Sequence, residues 1–180
     1  EAVKSGKVAK YVTDFGTDGI KPLAKICDSD DKGIFVLVKT SNPSSGELQD
    51  MKLETNESVY EHMGKMCEGW GEDLMGKHGY SAVGAVVGAT YPEQLGEMRA
   101  KLPHTFFLVP GYGAQGGGAD DVKNAFDENG LGAIINSSRG IMCAWKKQGL
   151  TEDDFAVAAR KEAERMRDEI VGCIGKIKLG

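Results

Sequence analysis

Cysteine, histidine and tryptophan are scarce in these 180 residues, numbering four, three and two. Cys27, Cys67, Cys143 and Cys173 lie far apart and form no C-x-x-C pair, so they read as the reduced thiols of a cytosolic protein. His62, His78 and His104 show no metal-ligand spacing, and no metal site is expected. No run of Lys or Arg interrupts a formal net charge of −5, which leaves no electrostatic case for nucleic acid. No apolar stretch approaches the roughly 20 residues of a membrane span. No signal peptide is visible, although the chain starts at Glu1 rather than Met. What remains, 41% hydrophobic and 27% charged residues, is ordinary for a globular domain. The length suits one domain over residues 1–180 with a sizeable core.

Four short runs rich in Val, Ile and Phe read as strands: Gly33 to Val38, Ala82 to Val87, Thr105 to Val109 and Gly132 to Ile135. Continuous apolar character suits strands buried on both faces, as in a parallel sheet. Helical patterns alternate with them. Asp18 is placed to cap a first helix carrying Ile20, Leu23, Ala24 and Cys27. Ser58 and Glu61 form a capping box ahead of Val59, Met63, Cys67, Trp70 and Leu74. Thr90 is placed to cap a helix with Pro92 in its first turn. Thr151 and Asp154 open a last helix with a stripe of Phe155, Ala159, Ala163, Met166, Ile170 and Ile174. The order is one helix followed by four β-α units, which implies parallel βαβ connections. A closed (β/α)8 barrel needs about 250 residues and eight strands. Strand count leaves two solutions: an open flavodoxin-like sheet, or part of a larger barrel with unpaired edges and an uncovered inner face.

The chemistry concentrates in two loops. Pro110 to Gly118 (PGYGAQGGG) follows the third strand, and Asn136 to Gly140 (NSSRG) follows the fourth. Glycines at that density let backbone N–H groups converge on an anion. Arg139 adds a forked donor suited to phosphate. In parallel barrels the phosphate commonly sits between the loops after the last two strands. A phosphorylated small molecule is the implied ligand. Lys39, at a strand end, is expected to pair with a core carboxylate rather than to act in catalysis.

Four blocks then carry a family resemblance. FVLVKTSNPSSGELQD (35–50), VGAVVGATYP (83–92), FLVPGYGAQGG (107–117) and AIINSSRGIM (133–142) resemble the segments around strands five to eight of orotidine 5′-phosphate decarboxylase, in its longer bacterial subgroup. The resemblance runs over roughly residues 16–172, with the blocks in the family's order and spacing. It implies a TIM barrel of which this chain shows about the C-terminal half. It also implies a cytoplasmic carboxy-lyase of pyrimidine biosynthesis that converts orotidine 5′-monophosphate to uridine 5′-monophosphate. No metal or organic cofactor is implied, and a homodimer is. By motif position, Ser41 would hydrogen-bond the pyrimidine and Pro110 would pack near the base. Gln115 would reach the phosphate and close over the substrate. Arg139, with the backbone of Ser138 and Gly140, would hold the phosphate.

The family's catalytic D-x-K-x-x-D motif is not found in these residues. Asp50-Met51-Lys52-Leu53-Glu54 resembles it only superficially, and it lies in the loop after strand five. Glu1 to Phe15 match the family poorly and form an atypical lead-in. Two rival readings therefore stand beside the enzyme. One is a non-catalytic nucleotide- or phosphate-binding half-barrel. The other is a sugar-phosphate aldolase or epimerase, against which stands the lack of a Schiff-base Lys or a metal-ligand set.

Overall fold

The computed structural model describes residues 16–113, 117–175 and 177–178. The lead-in 1–15 and the expected phosphate residue Gln115 lie outside the described residues. The described chain opens with helix α1 (Thr17–Ser29). Gly16 takes its cap position, and Asp18, expected there, sits inside the first turn, where its charge still favours the positive end of the helix. Strand β1 (Ile34–Lys39) follows, then a short 3₁₀ turn, helix α2 (Gly46–Gln49) and helix α3 (Val59–Gly71). Strand β2 (Val83–Val87) leads to helix α4 (Pro92–Lys101), and strand β3 (Phe107–Pro110) to helix α5 (Ala119–Val122). Strand β4 (Ala133–Asn136) precedes two short helices, α6 (Ser138–Met142) and α7 (Ala144–Lys147), and the long α8 (Phe155–Ile174).

The four strands pair in chain order, all parallel: β1 with β2, β2 with β3, β3 with β4. That order settles the choice left open by strand count. A flavodoxin-like sheet reverses direction after its first crossover, whereas a barrel adds each new strand on the same side of the last. Parallel pairing also puts every strand's C-terminal end at one rim.

Strand β2 is buried on both faces, as continuous apolar character suggests, but the outer strands β1 and β4 are open on one. Val36, Val38, Val83, Ala85, Val87, Phe107 and Val109 pack into one core with Ala24, Cys67, Trp70, Leu95 and Met98 of the helices. On the opposite face Phe35 is 48% exposed, Leu37 63% and Ile134 53%. The period-two alternation is hidden because the open face is apolar as well, as the inside of a barrel is.

Helix α3 begins as its sequence predicts. The Ser58 hydroxyl accepts from the Glu61 N–H, and the Glu61 carboxylate accepts from the Ser58 N–H at 2.8 Å. Its buried face is Tyr60, Gly64, Cys67, Trp70 and Gly71, and the Trp70 indole donates to Thr17 Oγ1 of α1 at 3.0 Å. Thr90 does not cap α4; Tyr91 holds that position, and no side chain bonds there. The last helix is entered through the expected Thr151–Asp154 box, but its stripe is rotated. Ala158, Met166 and Ile170 are buried, while Phe155 is exposed at the helix's open end. The charges from Arg160 onward pair along the solvent side, Arg160 with Glu164 and Arg165 with Glu162 and Glu169. No described helix is long and apolar enough to cross a membrane.

The α3 cap generates a prediction with a definite sign. The Lys101 ammonium, 2.5 Å away, and the Ser58 hydroxyl and N–H hold the Glu61 carboxyl down at about 2. A carboxyl depressed in the folded state contributes stability that is complete above its unfolded value of about 4.3 and is lost as pH falls toward 2. Denaturant unfolding between pH 6 and pH 2.5 should show a weaker acid loss for Glu61→Gln than for the parent; equal slopes would refute it. Ser58→Ala should cost about 1 kcal/mol at neutral pH.

Candidate functional site

A pocket of about 260 Å³ opens at the C-terminal rim, lined by Ser41, Pro110, Gly111, Tyr112, Asn136, Ser137, Ser138 and Arg139. Three strand ends supply it. Ser41 lies just past β1, Pro110 ends β3 and Asn136 ends β4. Four expected site residues, Ser41, Pro110, Ser138 and Arg139, therefore meet in one cavity, although they come from opposite ends of the sheet's sequence. Gly140 is buried just behind it in α6.

The loop after β1 is closed by its own side chains. Lys39, fully buried, reaches Asp50 Oδ1 at 2.6 Å, with its ammonium 4.8 Å from the Tyr91 ring centre and 5.4 Å from that of Tyr60. Gln49 Oε1 accepts from the Thr40 N–H at 3.0 Å. Between these clamps Ser41 is fixed by two contacts from the end of β2. The Thr90 hydroxyl donates to the Ser41 carbonyl at 3.1 Å. A side chain at Gly88 would meet the Ser41 backbone at 2.9 Å, so only glycine permits the approach. Lys39 pairs with a carboxylate as its position suggests, although Asp50 is a half-exposed loop residue rather than a core one. The superficial motif from Asp50 to Glu54 is thereby occupied: Asp50 holds Lys39, and Lys52 lies near Glu61.

The loops after β3 and β4 form the other walls. Gly111 and Gly113 have positive φ, 105° and 77°, and the Gly113 N–H donates to the Gly117 carbonyl at 2.7 Å. Tyr112 turns inward from this loop and is buried, its phenol donating to Glu169 Oε2 of α8 at 2.8 Å. Burial, and then the Glu169 carboxylate, push that phenol up to about 12, so it remains a donor at neutral pH. Ser137 is buried and its hydroxyl donates to the Tyr112 carbonyl at 2.9 Å. Ser138, Arg139 and Gly140 form the first turn of α6, where backbone N–H groups lack intrahelical acceptors. Arg139 is exposed at the pocket and pairs with no carboxylate among the described residues.

The chemistry of this lining is that of binding. A guanidinium, hydroxyls, an amide and helix N–H groups suit an anion. None of the lining residues is a carboxylate, a lysine or a histidine, so the described walls offer no general acid or base. The volume falls just short of the roughly 300–1,000 Å³ of typical small-molecule sites, and the apolar face beside it stays open. Sequence reasoning selected the polar and glycine positions but not Thr90, Tyr112 or Ser137. A tyrosine within a glycine run was the one available signal; the Thr90 and Ser137 bonds join segments far apart in the chain.

The buried clamp yields an asymmetric prediction. Asp50→Ala strands an ammonium that is fully buried, whereas Lys39→Met leaves a carboxylate that solvent can reach. Urea unfolding should show Asp50→Ala costing about 3 kcal/mol and Lys39→Met clearly less. The reverse order would mean that the rings of Tyr60 and Tyr91 hold the charge without Asp50.

Comparison with known proteins gives the family. Residues 12–150 match the model of the orotidine 5′-phosphate decarboxylase / HUMPS family. The chain is 44% identical over 161 residues to an orotidine 5′-phosphate decarboxylase of Rhodopirellula baltica, covering 87% of this chain and 53% of that protein. It is 45% identical over 159 residues to one of Caldicellulosiruptor bescii, covering 88% and 51%. The solved OMP decarboxylase of Leishmania donovani superposes with a TM-score of 0.64 at 32% identity, over 86% of this chain and 54% of that one. The chain thus spans about half the length of the relatives it matches, and its sheet corresponds to part of their barrel.

Proposed function

Since the chain belongs to the orotidine 5′-phosphate decarboxylase / HUMPS family, we propose that it forms the phosphate and pyrimidine side of a site that, in the whole enzyme, converts orotidine 5′-monophosphate to uridine 5′-monophosphate. The observation that carries this reading is the meeting of Ser41, Pro110, Ser138 and Arg139 in one pocket. Arg139 and the first turn of α6 take the phosphate. Ser41, held by Thr90 and Gly88, presents its hydroxyl and backbone to the pyrimidine edge. Pro110 gives the base an apolar wall. Gln115, by its place in the motif, is assigned to the phosphate as well.

A remote phosphate matters to a decarboxylation because its binding energy can offset the cost of closing loops and orienting the reacting carbon. The lining residues supply that grip and no proton donor. The carbanion left by loss of CO2 would be protonated from groups outside this pocket, in the part of the barrel that faces the open side of the sheet. Cytoplasmic location and a homodimer belong to the same reading, and sedimentation of the whole enzyme tests the latter.

Calorimetric titration of the chain with uridine 5′-monophosphate, ribose 5-phosphate and uridine tests the site. Arg139→Ala should weaken both phosphate ligands at least tenfold, the value of a charge-assisted hydrogen bond of roughly 1.5–3 kcal/mol, and leave uridine unaffected. Parallel loss of all three would refute the assignment of Arg139 to phosphate. Loss of orotidine 5′-monophosphate absorbance on mixing with the chain would show that a competent site assembles. Binding without turnover would confine the chain's own part to recognition.

A further inference from the structure

Ser137 stands at the cap position of α6, where a serine ordinarily bonds the N–H groups of the helix's first turn. Here it makes no such bond. Its buried hydroxyl instead crosses 25 residues of sequence to the Tyr112 carbonyl, at 2.9 Å. That one bond joins the loop after β3 to the loop after β4, the two walls between which the anion would lie. Tyr112 carries the tie onward, since its ring is buried and its phenol is anchored on Glu169 of α8.

Gly140 gives the arrangement its space. A Cβ there would fall well inside contact distance of Ser137 Oγ, while the next atom, Ser137 Cβ, would be 3.5 Å away. The hydroxyl therefore occupies a volume that any larger residue at this position would take. Motif resemblance gives Gly140 only a backbone role at the phosphate; the structure adds a side-chain reason for glycine.

We propose that Ser137 is the positioning residue of this pocket: its hydroxyl locks the two loops together, and Gly140 keeps its place open, so that a phosphomonoester meets a preformed cradle. The phosphate reading of the pocket supplies the ligand in this proposal, but the lock itself exists without one. Preformed sites bind more tightly because less ordering remains to be done on binding.

Two measurements separate the lock from the ligand. Amide hydrogen exchange on the unliganded chain should show Tyr112 and Gly113 exchanging about fivefold faster in Ser137→Ala, as expected for one net hydrogen bond. Unchanged exchange there would overturn the proposal whatever the pocket binds. Uridine 5′-monophosphate should bind Ser137→Ala about fivefold more weakly, with uridine unchanged; equal weakening of both would mean only a general loosening and would also overturn it. Gly140→Ala should reproduce both effects by displacing the hydroxyl. The double variant should be no worse than Ser137→Ala alone, because the oxygen that the added methyl group would strike is gone. Additive losses in the double variant would refute the link between the two residues. If the parent chain binds no uridine 5′-monophosphate at all, the phosphate reading fails, while the exchange experiment still decides the lock.

Discussion

Parallel pairing of four strands in chain order is the constraint on which the rest depends. A parallel strand can be reached only through a crossover that returns the chain to the same starting side. Every β-to-α turn therefore falls at one rim, and every α-to-β turn at the other. Ser41, Pro110 and Asn136 share a pocket because each ends or follows a strand at that rim, not because any of them attracts the others. The same constraint explains the exposed apolar face. Helices cover one side of the sheet, and the side carrying Phe35, Leu37 and Ile134 is what a barrel turns inward.

A rim built from loops is useful only if the loops are held. In this chain they are held by bonds between side chains and a distant backbone. Lys39–Asp50 and Thr40–Gln49 close the loop after β1, and Thr90 pins Ser41 from beyond the next strand. Ser137 ties the loops after β3 and β4, and Tyr112 fastens them to α8. Arg139 stands apart from this scaffold, exposed and without a carboxylate partner among the described residues. That division suits a binding site in which fixed groups shape the cradle and an available cation meets the ligand. It also fits the proposed role in recognition, since the described lining holds no carboxylate, lysine or histidine.

Much of this was legible in the residues. The four strands fall within about two residues of the apolar runs, because buried strands need such runs and the flanking glycines, prolines and polar clusters end them. The Ser58–Glu61 and Thr151–Asp154 boxes form as written, because both partners of each bond lie within one turn. The misreadings were of another kind. Thr90 has the chemistry of a cap but serves Ser41 instead, and the α8 stripe is set by what the helix packs against rather than by its own period. The apolar inner face concealed the alternation that would have marked one side as open.

The order of elements, the glycine-rich segments after β3 and β4, and the presence of Ser41, Pro110, Ser138 and Arg139 at strand ends can be read along the chain. These are local properties, fixed by backbone sterics and by apolar runs a few residues long. Long-range packing sets the way the sheet winds, the pairing of Lys39 with Asp50, and the turn of Ser137 from its own helix to Tyr112. Those outcomes depend on which groups are brought together across tens of residues. A hydroxyl or an ammonium bonds to whatever acceptor the packed chain leaves beside it, and local spacing does not name that acceptor.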